Sequence, residues 1–333
     1  MAGLAKAGPT GRPYQPPTDS NQRNKGADLP RWTTGVTLAG MKTPTRACLV
    51  LMAALAFVAA RGAEIKAPPL ATWTLKGPLP TTPQRLDETL PLSDQTNRSG
   101  WTRVEAFWDE FNGTALDNNK WARGLDWWTG RQPAWFNPSN VTVQGGELRL
   151  AMRRDTPPAG LVRQGYTNYS SAALHSVARA GYGYYEIRSQ AMGSAGSSAF
   201  WFQVEETPGW LTEIDVFELC GRGAVQERVY NMNAHVFRAA GVEGHWDNHA
   251  EWAAPWRWAD GWHVFGFEWG AEELRWYVDG VLLHTQANTH WHNPLFLIFD
   301  SETMPEWFGM PVDADLPSTF RIDYVRAWKK RGP

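Results

Sequence analysis

Cysteine is nearly absent: Cys 2 in 333 residues excludes a disulfide-dense scaffold and a four-cysteine zinc site. Neither sign of charge is in excess. Lys+Arg 32 against Asp+Glu 34 gives a formal net charge of -2, which argues against a nucleic-acid binder. Long hydrophobic runs are also missing. The longest, Ala47 to Ala60, has about 14 residues where a transmembrane helix needs roughly 20. No window of a dozen residues has a 3.6-residue apolar period, so long amphipathic helices are not expected.

Aromatic rings are what the chain has in plenty. Trp 20, Phe 14 and Tyr 9 exceed the needs of one core. Spare tryptophans line surfaces that grip flat apolar faces, and sugar rings present such faces. With hydrophobic residues at 43%, there is enough apolar matter for a sizeable core. The length allows about two domains, though one all-β domain can use most of it.

The first hundred residues fall into three stretches. Residues 1–40 are rich in Pro, Gly, Thr and Asn, and read as disordered or as an over-extended gene model. Residues 41–60 read as a secretory signal peptide: Met41 opens it, Lys42 and Arg46 supply the positive region, and Val58 and Ala60 suit cleavage before Arg61. The competing reading is a membrane anchor with a short cytoplasmic tail. Residues 61–100, with Pro68, Pro69, Pro78, Pro80, Pro83 and Pro91, read as a linker or an N-terminal arm. Export would leave Cys220 as the single cysteine, without a disulfide partner.

From Trp101 onward short strands alternate with turns. Val141 and Val143, then Gly145-Gly146, then Leu148, Leu150 and Met152 form a hairpin pattern. Strands are expected over 182–191, 198–204, 213–219, 230–237, 262–269, 274–278, 281–284, 295–299 and 320–328. Asp279-Gly280 marks a tight turn. So many strands predict an all-β jelly-roll sandwich of two antiparallel sheets, one of them concave and lined with aromatics as an open cleft.

The strongest chemical signal is Leu211-Thr-Glu-Ile-Asp-Val-Phe-Glu218. Glu213 and Asp215 share one strand face, with Ile214 and Val216 on the other. Strict alternation puts Glu218 on the wrong face; one bulge near Val216-Phe217 restores it. Acids crowded on one surface repel, and at least one must rise in pKa. A retaining glycosidase needs that arrangement, with an ionised nucleophile and a protonated acid. The alternative is a solvated acidic stripe, which the apolar Ile214, Val216, Phe217 and Leu219 oppose. A calcium cage would need loop spacing that this strand lacks.

At these residues the sequence resembles glycoside hydrolase family 16, whose hallmark is E-x-D-x-x-E on a bulged strand. The likeness spans about Trp101 to Lys329. It includes Asp109-Glu-Phe-Asn-Gly113, Trp128-Thr-Gly-Arg-Gln-Pro133, Ser197-Ser-Ala-Phe-Trp-Phe202, Ile298-Phe-Asp-Ser-Glu302 and Ile322-Asp-Tyr-Val-Arg326. Within the family it is most similar to the marine-galactan branch, the β-agarases and β-porphyranases. The resemblance implies that Glu213 is the nucleophile, Asp215 its assistant and Glu218 the general acid/base. It implies sugar stacking by Trp128 and Trp201, with Arg131 and Glu302 as polar groups of the cleft. His235, Arg238 and Trp307 are further substrate-binding candidates. Core packing stays open for each tryptophan, and a structural role for His235.

No cofactor is required on this reading. A structural calcium on the convex face, near Glu110, Gly146 and Asp323, is the one metal the resemblance suggests. His245 and His249, and His290 and His292, match no recognised zinc spacing and are left as surface or subsite residues. The expected protein is a secreted, monomeric, endo-acting retaining β-galactanase whose partner is a red-algal galactan of the agar type. The alternatives are a carrageenan, furcellaran or β-1,3-glucan hydrolase on the same fold, and a non-catalytic carbohydrate-binding sandwich.

Overall fold

The computed structural model describes residues 72–205 and 207–331, which lie within one compact unit, Ala67–Pro333. The readings for residues 1–40 and for the signal at 41–60 fall outside the described residues. Among the described residues, no helix is long and apolar enough to cross a membrane.

Strands dominate. In chain order they are β1 Trp73–Thr74, β2 Trp101–Arg103, β3 Trp121–Arg123, β4 Ala134–Phe136, β5 Val141–Val143, β6 Leu148–Arg154, β7 Tyr169–Ala180, β8 Gly183–Gln190 and β9 Ser197–Gln203. There follow β10 Leu211–Cys220, β11 Val229–Arg238, β12 Trp246–Asp247, β13 Ala250–Ala253, β14 His263–Trp269, β15 Glu273–Val278, β16 Val281–Ala287, β17 Leu295–Glu302 and β18 Ser318–Lys330. Among the described residues, helical structure is limited to single turns such as Ala159–Val162.

Two antiparallel layers result. One runs β3-β7-β17-β9-β10-β11, with β12 and β13 both on β11. The other runs β1-β16-β15-β14-β8-β18-β6-β5, with β2 also on β18. A short β6–β7 pairing joins the layers at one margin, and β4 adds a parallel pairing to β7. The expected sandwich is present. Asp279 (φ 48) and Gly280 (φ 77) make the two-residue β15–β16 turn, whose left-handed backbone suits this pair.

Between the layers the core is aromatic. Phe217 of β10 meets Phe265 of β14 at 4.5 Å and Phe200 of β9 at 6.0 Å. Burying such a ring stabilises the fold by about 1.5–3 kcal/mol. A second apolar layer covers part of the outer face of the β10 sheet: Leu125, Phe136, Ala173, Ala199, Trp201 and Ile298, with Trp127, Trp128 and Phe296 packed on it. Aromatics on both faces of one sheet explain why strand alternation is imperfect in the sequence.

β7 is the main strand that the sequence reading misses. Its residues, Tyr-Ser-Ser-Ala-Ala-Leu-His-Ser-Val-Ala-Arg-Ala, are mostly Ser and Ala, which have little intrinsic preference for strands. Pairing on both sides, with β3 and β17, overrides that composition.

Residues 72–100 lie against the opposite layer. Arg85 pairs with Glu186 of β8, which is fully buried. The Leu92 N–H donates to the same carboxylate at 2.7 Å, and the Tyr324 hydroxyl at 3.0 Å. Trp252 and Trp328 donate their indole N–H groups to the carbonyls of Gly77 (2.9 Å) and Thr89 (2.7 Å).

Candidate active site

The register of β10 delivers the acids. Against β11, Asp215 lies opposite Asn233 and Glu218 opposite Asn231; against β9, Asp215 lies opposite Trp201 and Phe217 opposite Phe200. The extra residue sits at Val216-Phe217, where the sequence requires a bulge. Ile214, Val216 and Phe217 all enter the core, while Glu213, Asp215 and Glu218 come to the outer face.

Neighbouring strands add their own groups in register. Ala199 of β9 lies between Glu218 and Asp300, opposite both, and its small side chain leaves the acids room to face each other. Trp201 lies between Asp215 and Ile298, and its indole N–H donates to Asp300 Oδ2 at 3.1 Å. His235 lies opposite Glu213. Its Nε2 is 3.1 Å from Asp215 Oδ2 and 3.8 Å from Glu213 Oε1. The Gln203 amide donates to Glu213 Oε2.

Gln203 and Asp300 are absent from the sequence-based candidates. A period-two rule would have found both: Gln203 is two residues after Trp201, and Asp300 two before Glu302.

Burial, followed by crowding of like charge, raises these carboxyls. Glu218 is pushed up to about 8, by burial first and then by Asp215 and Glu302. Asp215 is also raised to about 8, by burial and by Glu302 and Asp247. Burial holds Glu213 and Asp300 well above the ordinary carboxylate range. The groups titrate as a set and share protons. Within the set, Glu213 accepts from Gln203 and faces His235, and both contacts favour its ionised form. Glu218, raised by burial and by Asp215 and Glu302, keeps its proton. The acids are therefore pushed apart in role.

Arg131 is the cation of this cluster. Its Nε donates to Glu302 Oε2 at 2.8 Å. The Glu302 side chain is 4% exposed and that of Arg131 36%. Glu302, expected as a polar group of the open cleft, is instead the buried counter-ion that aims Arg131. The Trp128 ring packs edge-on against Phe136 at 5.0 Å and Trp201 at 6.1 Å, under the Arg131 guanidinium. Trp307 stands on the turn closed by Met304 and Gly309, is 39% exposed, and lies 6.4 Å from His249. Arg238 ends β11, opposite Leu211.

The calcium site does not fit. Glu110 accepts two hydrogen bonds from Arg326, and Asp323 accepts one from Arg188. Both carboxylates are thus paired with guanidinium groups.

Acids that titrate together on one sheet face, beside Trp201 and Trp128, suit the cleavage of an acetal, which needs one group to protonate the leaving oxygen and another to meet the carbon it leaves. The class so defined is a glycoside hydrolase. Comparison with known proteins makes the class specific: a family model described as "Beta-porphyranase A-D, GH16 domain" matches residues 101–330, and the chain belongs to glycoside hydrolase family 16. It is similar to Beta-porphyranase E of Zobellia galactanivorans, with 30% identity over 261 residues, covering 68% of this chain and 88% of that one. Kappa-carrageenase of Pseudoalteromonas carrageenovora is 26% identical over 260 residues, 67% of this chain and 64% of its own length. Among solved structures, the beta-porphyranase BpGH16B of the human gut bacterium Bacteroides plebeius superposes with a TM-score of 0.59 at 28% identity, covering 69% of this chain and 91% of that one.

Proposed function

We propose that the protein is an exported, endo-acting β-galactanase that hydrolyses agar-type red-algal polysaccharide, agarose or porphyran, with retention of configuration. The observation that carries this reading is the bulged β10, which aligns Glu213, Asp215 and Glu218 beside Trp201. The match to a porphyranase model supports the galactan class. In the first step Glu213 attacks the anomeric carbon while Glu218 protonates the departing oxygen, which leaves a covalent glycosyl-enzyme. In the second step Glu218 takes a proton from water, which displaces Glu213. Asp215, between them and 3.1 Å from His235 Nε2, holds the shared proton as Glu213 changes charge.

The test is release of reducing ends from agarose, porphyran, κ-carrageenan and laminarin. Activity on the agar-type pair is expected. Cleavage confined to κ-carrageenan or laminarin would refute the substrate, and silence on all four would favour a binding module.

Arg131 sharpens the choice. Its charge is already matched by Glu302, so its remaining N–H groups suit sugar hydroxyls better than a sulfate. Arg131→Ala should therefore lower kcat/KM on agarose and porphyran alike, by roughly tenfold to a hundredfold, with little salt dependence. It should also lower stability, since Glu302 is left buried without a partner. The loss falls below the 3–5 kcal/mol typical of a wholly buried pair, because the Arg131 side chain is 36% exposed. Adding Glu302→Gln should restore thermal stability without restoring activity. A selective, salt-sensitive loss on porphyran would assign Arg131 to sulfate.

A further inference from the structure

The β11–β12 hairpin brings His235 beside two side chains that the reaction does not use. His235 of β11 lies opposite Asp247 of β12, and the intervening turn returns His245 alongside. His235 Nδ1 is 2.9 Å from His245 Nε2 and 3.8 Å from Asp247 Oδ2. One ligand atom from each of the three residues falls within 4.8 Å of the others, and His245 and Asp247 are open to solvent. Histidine spacing alone had given no metal site, because the partners are strand neighbours and not sequence neighbours.

We propose that His235, His245 and Asp247 form a binding site for a late first-row divalent cation, zinc above all, on the rim of the cleft, and that the bound ion inhibits hydrolysis. Zinc bonds of about 2.0–2.2 Å at tetrahedral angles put ligand atoms roughly 3.2–3.5 Å apart. The two separations from His235, 2.9 and 3.8 Å, straddle that range, and the third, between the exposed His245 and Asp247, lies within 4.8 Å, so a shift of up to about an ångström in those two side chains would close the set. Water would take the fourth position. Two imidazoles and one carboxylate suit zinc or copper and disfavour calcium and magnesium, which take oxygen ligands.

The surroundings of His235 fit such a role. Its other nitrogen, Nε2, lies 3.1 Å from Asp215 Oδ2. With Nδ1 on the metal, Nε2 carries the proton, and a small rotation of the ring would direct it to the nearby Asp215 carboxylate and so fix tautomer and orientation. The Phe237 ring stacks on His235 at 5.5 Å and on His245 at 4.7 Å, and so holds both imidazoles in place. An ion here ties His235 to Asp215 in a single protonation state and places a positive charge across the imidazole ring from Glu213. The inhibitory half of this proposal rests on the role assigned to these acids; the binding half does not.

A rival position exists within the same cluster, since Glu213, Asp215 and His235 also converge. The experiment separates the two. Zinc is titrated calorimetrically into the metal-free full-length protein, and hydrolysis is followed with and without zinc. His245→Ala and Asp247→Asn are treated in the same way, each scaled to its own metal-free rate. One zinc per chain, inhibition reversed by EDTA, and a tenfold or greater weakening of both effects in each variant are expected. Cobalt should give the visible bands of tetrahedral coordination in the parent and lose them in His245→Ala. Equal inhibition of parent and variants would move the ion to the acids and overturn the rim site, as would absence of stoichiometric zinc binding. Calcium competing equally with zinc would also overturn it. Zinc binding without inhibition would keep the site and reject its coupling to catalysis.

Discussion

Glu213→Gln is expected to reduce turnover by a factor on the order of 10^4 or more, while oligosaccharide binding survives. The amide preserves the shape of the side chain and its place opposite His235, but has no anion with which to attack. It also replaces a buried, repelling carboxyl with a neutral group, so the fold should lose nothing. Single-turnover kinetics and calorimetry with an agar-type oligosaccharide check both halves. NMR of the first product adds the stereochemistry: the β-anomer is expected, and an initial α-product would reject the retaining mechanism. Retained turnover in Glu213→Gln would shift the nucleophile to another acid of the cluster.

Glu218→Gln should cost about 10^2 to 10^4 in kcat on polysaccharide, the usual worth of a general acid. Substrates whose leaving group departs without a proton should be spared much of that in the first step. The pH profile gives a second reading. Glu218 is active when protonated, and its pKa is pushed up to about 8. It therefore holds its proton and is neutral at neutral pH, and loses the proton as the medium turns alkaline. The sign follows: kcat/KM of the parent should fall above about pH 8 as Glu218 loses its proton, with Glu218→Gln flattening that limb, and should fall on the acid side where Glu213, itself raised by burial, takes a proton up. Asp215→Asn should be milder than either glutamate change. A parent profile that rises through pH 8 would contradict the assignment of Glu218 as the acid.

The acidic strand was legible because its two faces disagree so sharply. Ile214, Val216 and Phe217 must go inward, and that alone forces the bulge which brings Glu218 round to Asp215. β5, β6, β15 and β16 were legible for a similar reason, since their turns carry glycines where the backbone is left-handed. β7 was hidden by its serines and alanines. Gln203 and Asp300 follow from period two along strands that carry Trp201 and Glu302, whereas Asp247 was hidden because it matters only through His235 on another strand. Glu302 was visible as an acid, but only packing shows that Arg131 occupies it. The carboxylates considered for calcium are likewise claimed by Arg326 and Arg188, which lie far from the matching motif in one case and within a different strand in the other.

Glu186 bears on where this enzyme can be cut. The segment that matches the family starts at residue 101, yet the carboxylate of Glu186 is satisfied from Arg85 and from the backbone of Leu92. A chain started at Trp101 would keep the catalytic acids and strand a fully buried anion with the Tyr324 hydroxyl as its remaining donor among these contacts. Breaking a buried pair from one side costs about 3–5 kcal/mol, a large share of the 5–15 kcal/mol that holds a typical domain together. The smallest piece that carries the chemistry is therefore shorter than the smallest piece that can sustain it, and the residues before the hydrolase segment act as a built-in brace.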